Sequence, residues 1–418
     1  MKRLLMILLI TIFTTLNSIN ISALERRKSQ FSDELGYIVA PAPYSLPGLG
    51  QGVVIFGAAF NLANTYLDLY GYKITGDVEG LGYGFDDLHL VSETLVLGLQ
   101  REDISKATVM NYEKRGMDTK KEDYNLLEGS NIHGRYGTLS LIFFNRMLEL
   151  YASFSQFTAD LDRISDKDGN VIAKFDKPQK LEEKSTTFGI LLDYTDDRQD
   201  PRAGVRMDVS HSYTPPNHGS HPEFFVMNYN ATAYIPIGNI STWVFNYFRS
   251  DAVVMQEGNT DKVKIEEELG LNCDAISDPA QKAECESSKE KLINDRYAAN
   301  KYGTAASLGG RSRLRSYPDG RFIGAHTQMF GTEIRWNLFE EFTPFDILFM
   351  KDIRTGIQLA AFFESGSVAE TASDLGKETR ESYGMGVRMV MASGIVYRAD
   401  MAQGDEGSEL TVIIDYPW

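Results

Sequence analysis

The sequence lacks the long apolar runs that cross membranes as helices. Past residue 23 no stretch approaches the ~18 consecutive apolar residues such a span needs, and mean hydropathy is −0.26. A chain of this kind can cross a bilayer only with strands, whose closed sheet satisfies its own backbone in lipid. Cysteine is nearly absent, at 2 of 418 residues, so no disulfide framework stands in for a core. Positive charge is in deficit. Against 58 Asp and Glu there are 42 Lys and Arg, a net charge of −16, which argues against nucleic acid or anionic lipid as a partner and fits exposed loops with a polar interior.

The marks of catalysis are missing too. No Gly-x-Ser-x-Gly elbow is present. Gly48-x-Gly50-x-Gly52 lacks both a phosphate-binding lysine and a following helix, and reads as a flexible approach to a first strand. His211, His218 and His221 could meet near one surface loop, but no carboxylate spacing completes a metal site. The chain therefore reads as a non-enzyme with no cofactor and no metal.

What the chain does have is alternation. In the last nine residues Leu410, Val412, Ile414, Tyr416 and Trp418 share one face, as expected of a closing strand that faces lipid and ends in an interfacial aromatic, with Tyr416 and Trp418 as the barrel-assembly signal. Upstream, Tyr397 and Met401 alternate with Arg398 and Asp400, and Met385, Val387 and Met389 with Gly386 and Arg388. Ala361 and Phe363 oppose Phe362 and Glu364, Ile334 and Trp336 oppose Glu333 and Arg335, and Met207 and Val209 oppose Arg206 and Asp208. One face is apolar and the other charged, and 21 Tyr and 23 Phe are available for aromatic girdles. At the other end Lys2 and Arg3 precede the apolar run from Leu4 to Leu16, with Ser22 and Ala23 after it, a secretory signal over residues 1–23.

The fold class is thus all-β, a transmembrane antiparallel barrel. Counting back from Trp418 places strand starts near 410, 395, 382, 356, 327, 240, 224, 205, 186 and 147, with several more in 50–144; sixteen strands is the best even count and fourteen the alternative. Short connections at Arg198–Gly204, Gly238-Asn239 and Ser393-Gly394 alternate with long polar ones near Ser165–Lys184, Pro215–Glu223 and Met255–Phe322, which reads as periplasmic turns and surface loops. The expected organisation is a signal peptide (1–23), a short periplasmic segment (24–51) and a barrel (52–418), the last holding a long loop over 255–325. In that loop Ser277-Asp278-Pro279 is a helix start and Gln281–Asn300 has helical composition. Cys273 and Cys285 flank this start in an oxidising compartment, which favours a disulfide over a metal site, although spacing alone leaves the pairing open.

Three motifs in fixed order carry a family resemblance. Leu308-Gly309-Gly310-Arg311-Ser312-Arg313-Leu314-Arg315-Ser316-Tyr317, then Glu333-Ile334-Arg335, is similar to the signature of the outer-membrane protein-insertase superfamily, which includes barrel insertases, two-partner-secretion transporters and bacterial surface-antigen barrels. Phe362, Glu364 and Gly366 match its Phe-x-Asp-x-Gly strand motif. Asp196, Arg198, Asp200, Pro201 and Gly204 resemble its Asp-x-Arg…Pro-x-x-Gly turn. The resemblance covers residues 185–418, and the N-terminal strands by implication. It implies a long surface loop folded into the lumen, with the tip Leu314, Arg315, Ser316 and Tyr317 docked on the strand acid.

The chemistry is readable without the family: Arg315 in a polar lumen needs an anion, period two puts Glu364 on the inward face, and a guanidinium takes a carboxylate bidentately. Glu333, Arg335, Arg388, Arg398 and Asp400 read as a general lumen charge network. Two departures stand out, Glu364 where the family has Asp and Ser316 where it has Gly. A third is larger, since residues 24–51 leave no room for the family's periplasmic client-binding (POTRA) domains. The expected function is a loop-gated pore or a translocation or insertion unit for polypeptide or lipid. Outer-membrane lipid, the barrel-assembly machinery and a periplasmic or outer-membrane protein are the expected partners; the alternative is a non-transporting structural or surface-antigen barrel and, behind it, a membrane-embedded enzyme.

Overall fold

In the computed structural model sixteen antiparallel strands close into one barrel in sequence order. The described residues are 27, 29–31, 35–112, 114–216, 220–347, 350–391, 396–414 and 416–418. The signal segment and the Ser393-Gly394 turn lie outside them. The strands are β1 (Gly36–Leu46), β2 (Gly50–Leu62), β3 (Leu67–Gly76), β4 (Glu79–Val91), β5 (Leu95–Tyr112), β6 (Tyr124–Phe143), β7 (Leu148–Ser165) and β8 (Val171–Thr195). They continue as β9 (Gly204–Thr214), β10 (Glu223–Ile237), β11 (Ser241–Gln256), β12 (His326–Ile347), β13 (Met350–Ala369), β14 (Arg380–Met391), β15 (Val396–Gly404) and β16 (Gly407–Ile414). No helix among the described residues is long and apolar enough to cross a membrane.

Alternation sets the two surfaces. Tyr383, Met385, Val387, Met401 and Leu410 are exposed on the outside, while Ser382, Arg388, Arg398 and Asp400 are fully buried inside. Such an inversion of the soluble-protein pattern is stable only where the outer face meets lipid.

The barrel begins earlier than the sequence suggested. Residues 36–46 form a full strand pairing with β2 over all 11 residues, so the expected segment boundary at 51–52 is corrected, and Gly48 and Gly50, both at positive φ, belong to the β1–β2 turn. Pro41 and Pro43 lie within this strand. They fit because the Pro43 carbonyl points away from β2, accepting from the Tyr397 hydroxyl at 2.9 Å; amide and carbonyl of one residue face the same way in an antiparallel strand, so the missing N–H groups fall on the edge opposite β2. Ser165–Lys184 is also corrected. It extends β7 and β8 into a tall hairpin closed by an Asp166 turn, whose carboxylate accepts from the amides of Asp168 and Asn170.

The wall is uneven. β5 to β8 have 18, 20, 18 and 25 residues, but β14, β15 and β16 have 12, 9 and 8. Among the described residues closure between β1 and β16 rests on one register pair, Ser45 with Val412, and β1 also pairs with β13 at Tyr37 and Lys351.

The loop between β11 and β12 carries α1 (Lys262–Leu269) and α2 (Pro279–Tyr302), α2 capped by Asp278 and ended at Gly303. Cys273, in the link between the helices, is disulfide-bonded to Cys285 of α2. Both pack with Leu161, Ile164 and Ile172 of the tall hairpin. The rest of the loop turns inward.

Candidate functional site in the lumen

The loop tip enters the lumen through a two-residue bridge, Leu308 with Phe322, whose amides and carbonyls exchange bonds of 2.9 and 3.0 Å. An apolar plug of Leu308, Leu314, Tyr317 and Phe322 packs against Phe248, Met329 and Val368 of the wall. Gly366 makes room for it: a Cβ there would lie 2.7 Å from Leu308 Cδ1. Leu314 holds φ +53°, a conformation costing about 1 kcal/mol or more, and this twist presents the next residue to the wall.

Arg315 is 0% exposed. Its backbone amide and Nε donate to the two oxygens of Glu364 at 2.8 and 2.9 Å. Its terminal nitrogens go elsewhere, to Asp400 at 2.7 Å and Glu333 at 3.2 and 3.3 Å, and the guanidinium lies 3.4 Å over the Phe362 ring. The sequence had separated a lock pair from a charge network, but the structure brings them together. Arg388 grips both oxygens of Glu333, Arg335 Nε donates to Glu333 at 2.7 Å, and Arg398 donates to Asp400 at 2.5 Å and to the Arg311 carbonyl at 2.5 Å. Three acids therefore surround one loop arginine.

The extra methylene of Glu364 is what lets it reach the backbone and the side chain of Arg315 at once. Ser316 is accommodated by a glycine opposite it, since a Cβ at Gly404 would sit 2.3 Å from the Ser316 hydroxyl oxygen, and the Ser316 amide donates to Ser382 at 3.0 Å. Sequence reading did not find Arg321, six residues past Arg315. It is 0% exposed, bonded to Glu406 at 2.5 and 2.8 Å and to the Thr119 hydroxyl. Nor did it find Asp319, whose amide donates to the Pro47 carbonyl in the β1–β2 turn at 2.9 Å. Neither contact has a local spacing that would announce it.

The turn motif folds under the same network. Asp196 accepts from the amides of Arg202 and Ala203, Gly204 holds φ +112° against the Tyr194 carbonyl, Arg198 pairs with Glu149, and Pro201 completes the turn. Asp200 reaches across the lumen, accepting from Gln358 at 2.8 Å and from the Tyr416 hydroxyl at 2.9 Å.

The expected lipid-facing girdle at the C-terminus is thereby corrected. The strand ends at Ile414, and Tyr416 and Trp418 turn inward: Arg335 stacks 4.4 Å over Tyr416, and Trp418 lies against Gly331 with its ring 5.6 Å from the Arg315 guanidinium. Pro417 cannot donate to a ladder, and the Tyr416 hydroxyl finds in the lumen the partner that lipid would deny it. Of the three histidines, His211 stacks on Phe225, His221 lies 3.4 Å from Arg296 and His218 is outside the described residues. Among the described residues no group of three potential ligands could hold a metal.

Residues 105–269 match the Omp85 superfamily domain. That segment contains the turn motif and ends before the loop tip. The chain is similar in structure to CdiB from Escherichia coli (TM-score 0.50, 11% identity, covering 93% of this chain and 68% of that one). It is also similar to BamA from Haemophilus ducreyi lacking POTRA domains 1-3 (0.47, 13%, 91% and 68%) and to CdiB from Acinetobacter baumannii (0.45, 12%, 94% and 67%). No curated protein sequence matches it. The chain is thus a closed sixteen-strand antiparallel barrel that shares its fold with CdiB from Escherichia coli and carries in its wall a segment matching the Omp85 superfamily domain.

Proposed function

We propose that the barrel inserts or translocates a polypeptide or lipid at the β1–β16 seam, with the lumen lock as its gate and a separate protein recruiting the client. The observation that carries this reading is the seam. Among the described residues one register pair joins it, Pro41 and Pro43 withdraw two donors from its edge, and an unpaired edge is a template for an incoming strand. The 8 residues of β16 span about 27 Å along the strand and, tilted by ~45°, about 19 Å of height, less than the ~30 Å hydrocarbon core. The lock braces this weak joint from inside, since Asp319 holds the β1–β2 turn while Arg315 and Ser316 hold β13 to β15. In this reading the short turns face the periplasm and the α1–α2 knob faces out.

A photo-crosslinker at Val39, exposed on β1, tests it in intact outer membranes. Capture of an unfolded chain or lipid is expected, and closing the seam by Ser45→Cys with Val412→Cys, in a Cys273→Ser/Cys285→Ser background, should abolish it. No capture, or equal capture from the closed barrel, would leave the structural-barrel alternative.

A further inference from the structure

At the short-turn end of the lumen a cavity of about 460 Å³ opens between the C-terminal tail, the β8–β9 turn and the wall. Three of the residues lining it carry a polar hydrogen with no hydrogen-bond partner among the described residues: the Tyr234 hydroxyl, Arg206 Nε and Trp418 Nε1. Tyr234 is 1% exposed, so its hydroxyl has forfeited bulk water, an uncompensated cost unless something replaces it. Behind Tyr234 and Tyr416 lies Arg335, 2% exposed, with both terminal nitrogens also unpartnered. All of these groups can donate, and the indole and guanidinium nitrogens can only donate.

We infer that this cavity is an oxyanion site, taking a phosphate group into the ring of donors formed by Tyr234, Arg206 and Trp418. The charge for it comes from Arg206 together with Arg198 on the same lining. Each already has one acidic partner, Asp193 and Glu149 respectively, so a small, singly or doubly charged group fits better than a polyanion. A bound phosphate would bridge the tail to β9 and β10, holding the end of β16 inside the barrel. Binding there does not require the barrel to translocate anything.

Trp418 is itself the reporter. With Trp243→Phe and Trp336→Phe it is the sole tryptophan of the full-length barrel. Sodium phosphate, sodium chloride at matched ionic strength and dihexanoyl-phosphatidylglycerol are titrated separately while its emission is followed. A saturable shift is expected with phosphate and none with chloride. Tyr234→Phe should weaken it roughly tenfold, the value of one hydrogen bond to a charged group, and Arg206→Lys, which keeps the charge and loses Nε–H, should weaken it as well. Saturation by the lipid alone would identify a headgroup site, and saturation by both a free-anion site. An equal response to chloride, no saturation, or unchanged affinity in both variants with heat-modifiability intact would mean a water-filled cavity and overturn the assignment.

Discussion

One loop is held in two ways. Its helical part, residues 262–302, is largely exposed and stapled by Cys273–Cys285, with Arg115 clamping its end through Glu370 at 2.6 Å and the Gly303 carbonyl at 2.8 Å. Its tip, residues 308–322, is buried and held by Arg315 among three carboxylates. A disulfide cannot be exchanged for another contact during a working cycle, whereas a charge cluster can be, by water or by a competing charge. On the proposed function the knob is the part that persists and the tip the part that releases.

The sharpest way to break this comparison is Arg315→Ala. It takes the guanidinium from buried Glu364, while Glu333 keeps Arg335 and Arg388 and Asp400 keeps Arg398; losing one partner of a buried pair commonly costs about 3–5 kcal/mol and less where water enters the lumen. Tip protease sensitivity and single-channel conductance should both rise. Glu364→Ala should do the same more weakly, because Asp400 and Glu333 still hold the terminal nitrogens. Adding it to Arg315→Ala should change little, and additive effects would mean that the two residues act separately. A tip as protected in Arg315→Ala as in the parent would show that the apolar plug alone holds it.

Removing the staple sharpens the other half. Cys273→Ser with Cys285→Ser reopens a short loop of sequence separation 12, an entropic loss of roughly 2–3 kcal/mol by the chain-entropy estimate. Hydrogen exchange should speed up in α1 and α2 while conductance stays at the parent value. If conductance changed as well, knob and tip would be one cooperative unit.

How far the sequence foretold this depends on range. Period-two alternation in β9 and in β12 to β15, the cap at Asp278 and the tip motif are local patterns, and the strands and the helix lie where the first two pointed. β1 hid behind Pro41 and Pro43 because a proline is legible as harmless only once the unpaired edge is known. The inward turn of Tyr416 and Trp418 was illegible for a similar reason. Ile414 and Tyr416 alternate as a strand should, and it takes partners distant in sequence, Asp200 at 216 residues away together with Gln358 and Arg335, to draw the chain out of the wall. The convergence of Glu333 and Asp400 on Arg315 likewise depends on neighbouring strands in three dimensions.

The smallest effect expected lies where the knob meets the barrel mouth, at Asp295 of α2. Burial raises its carboxyl to about 6, against the pull of Arg115 and Arg296 and helped by Glu370. A carboxyl raised above its unfolded value near 4 binds the proton more tightly when folded. Its contribution is therefore complete below about pH 4 and is lost as pH rises through about 6. Exchange of the α2 amides, corrected for intrinsic rate, should be slower at pH 5 than at pH 7.5. Asp295→Asn, which stays neutral throughout, should make the two pH values alike and bring exchange at pH 7.5 down toward the acidic value. Tip protection should not follow this pH change, because Asp295 bears on the stapled part of the loop alone. A tip that loosened in step with α2 would tie the persistent half to the releasable one and remove the distinction between them.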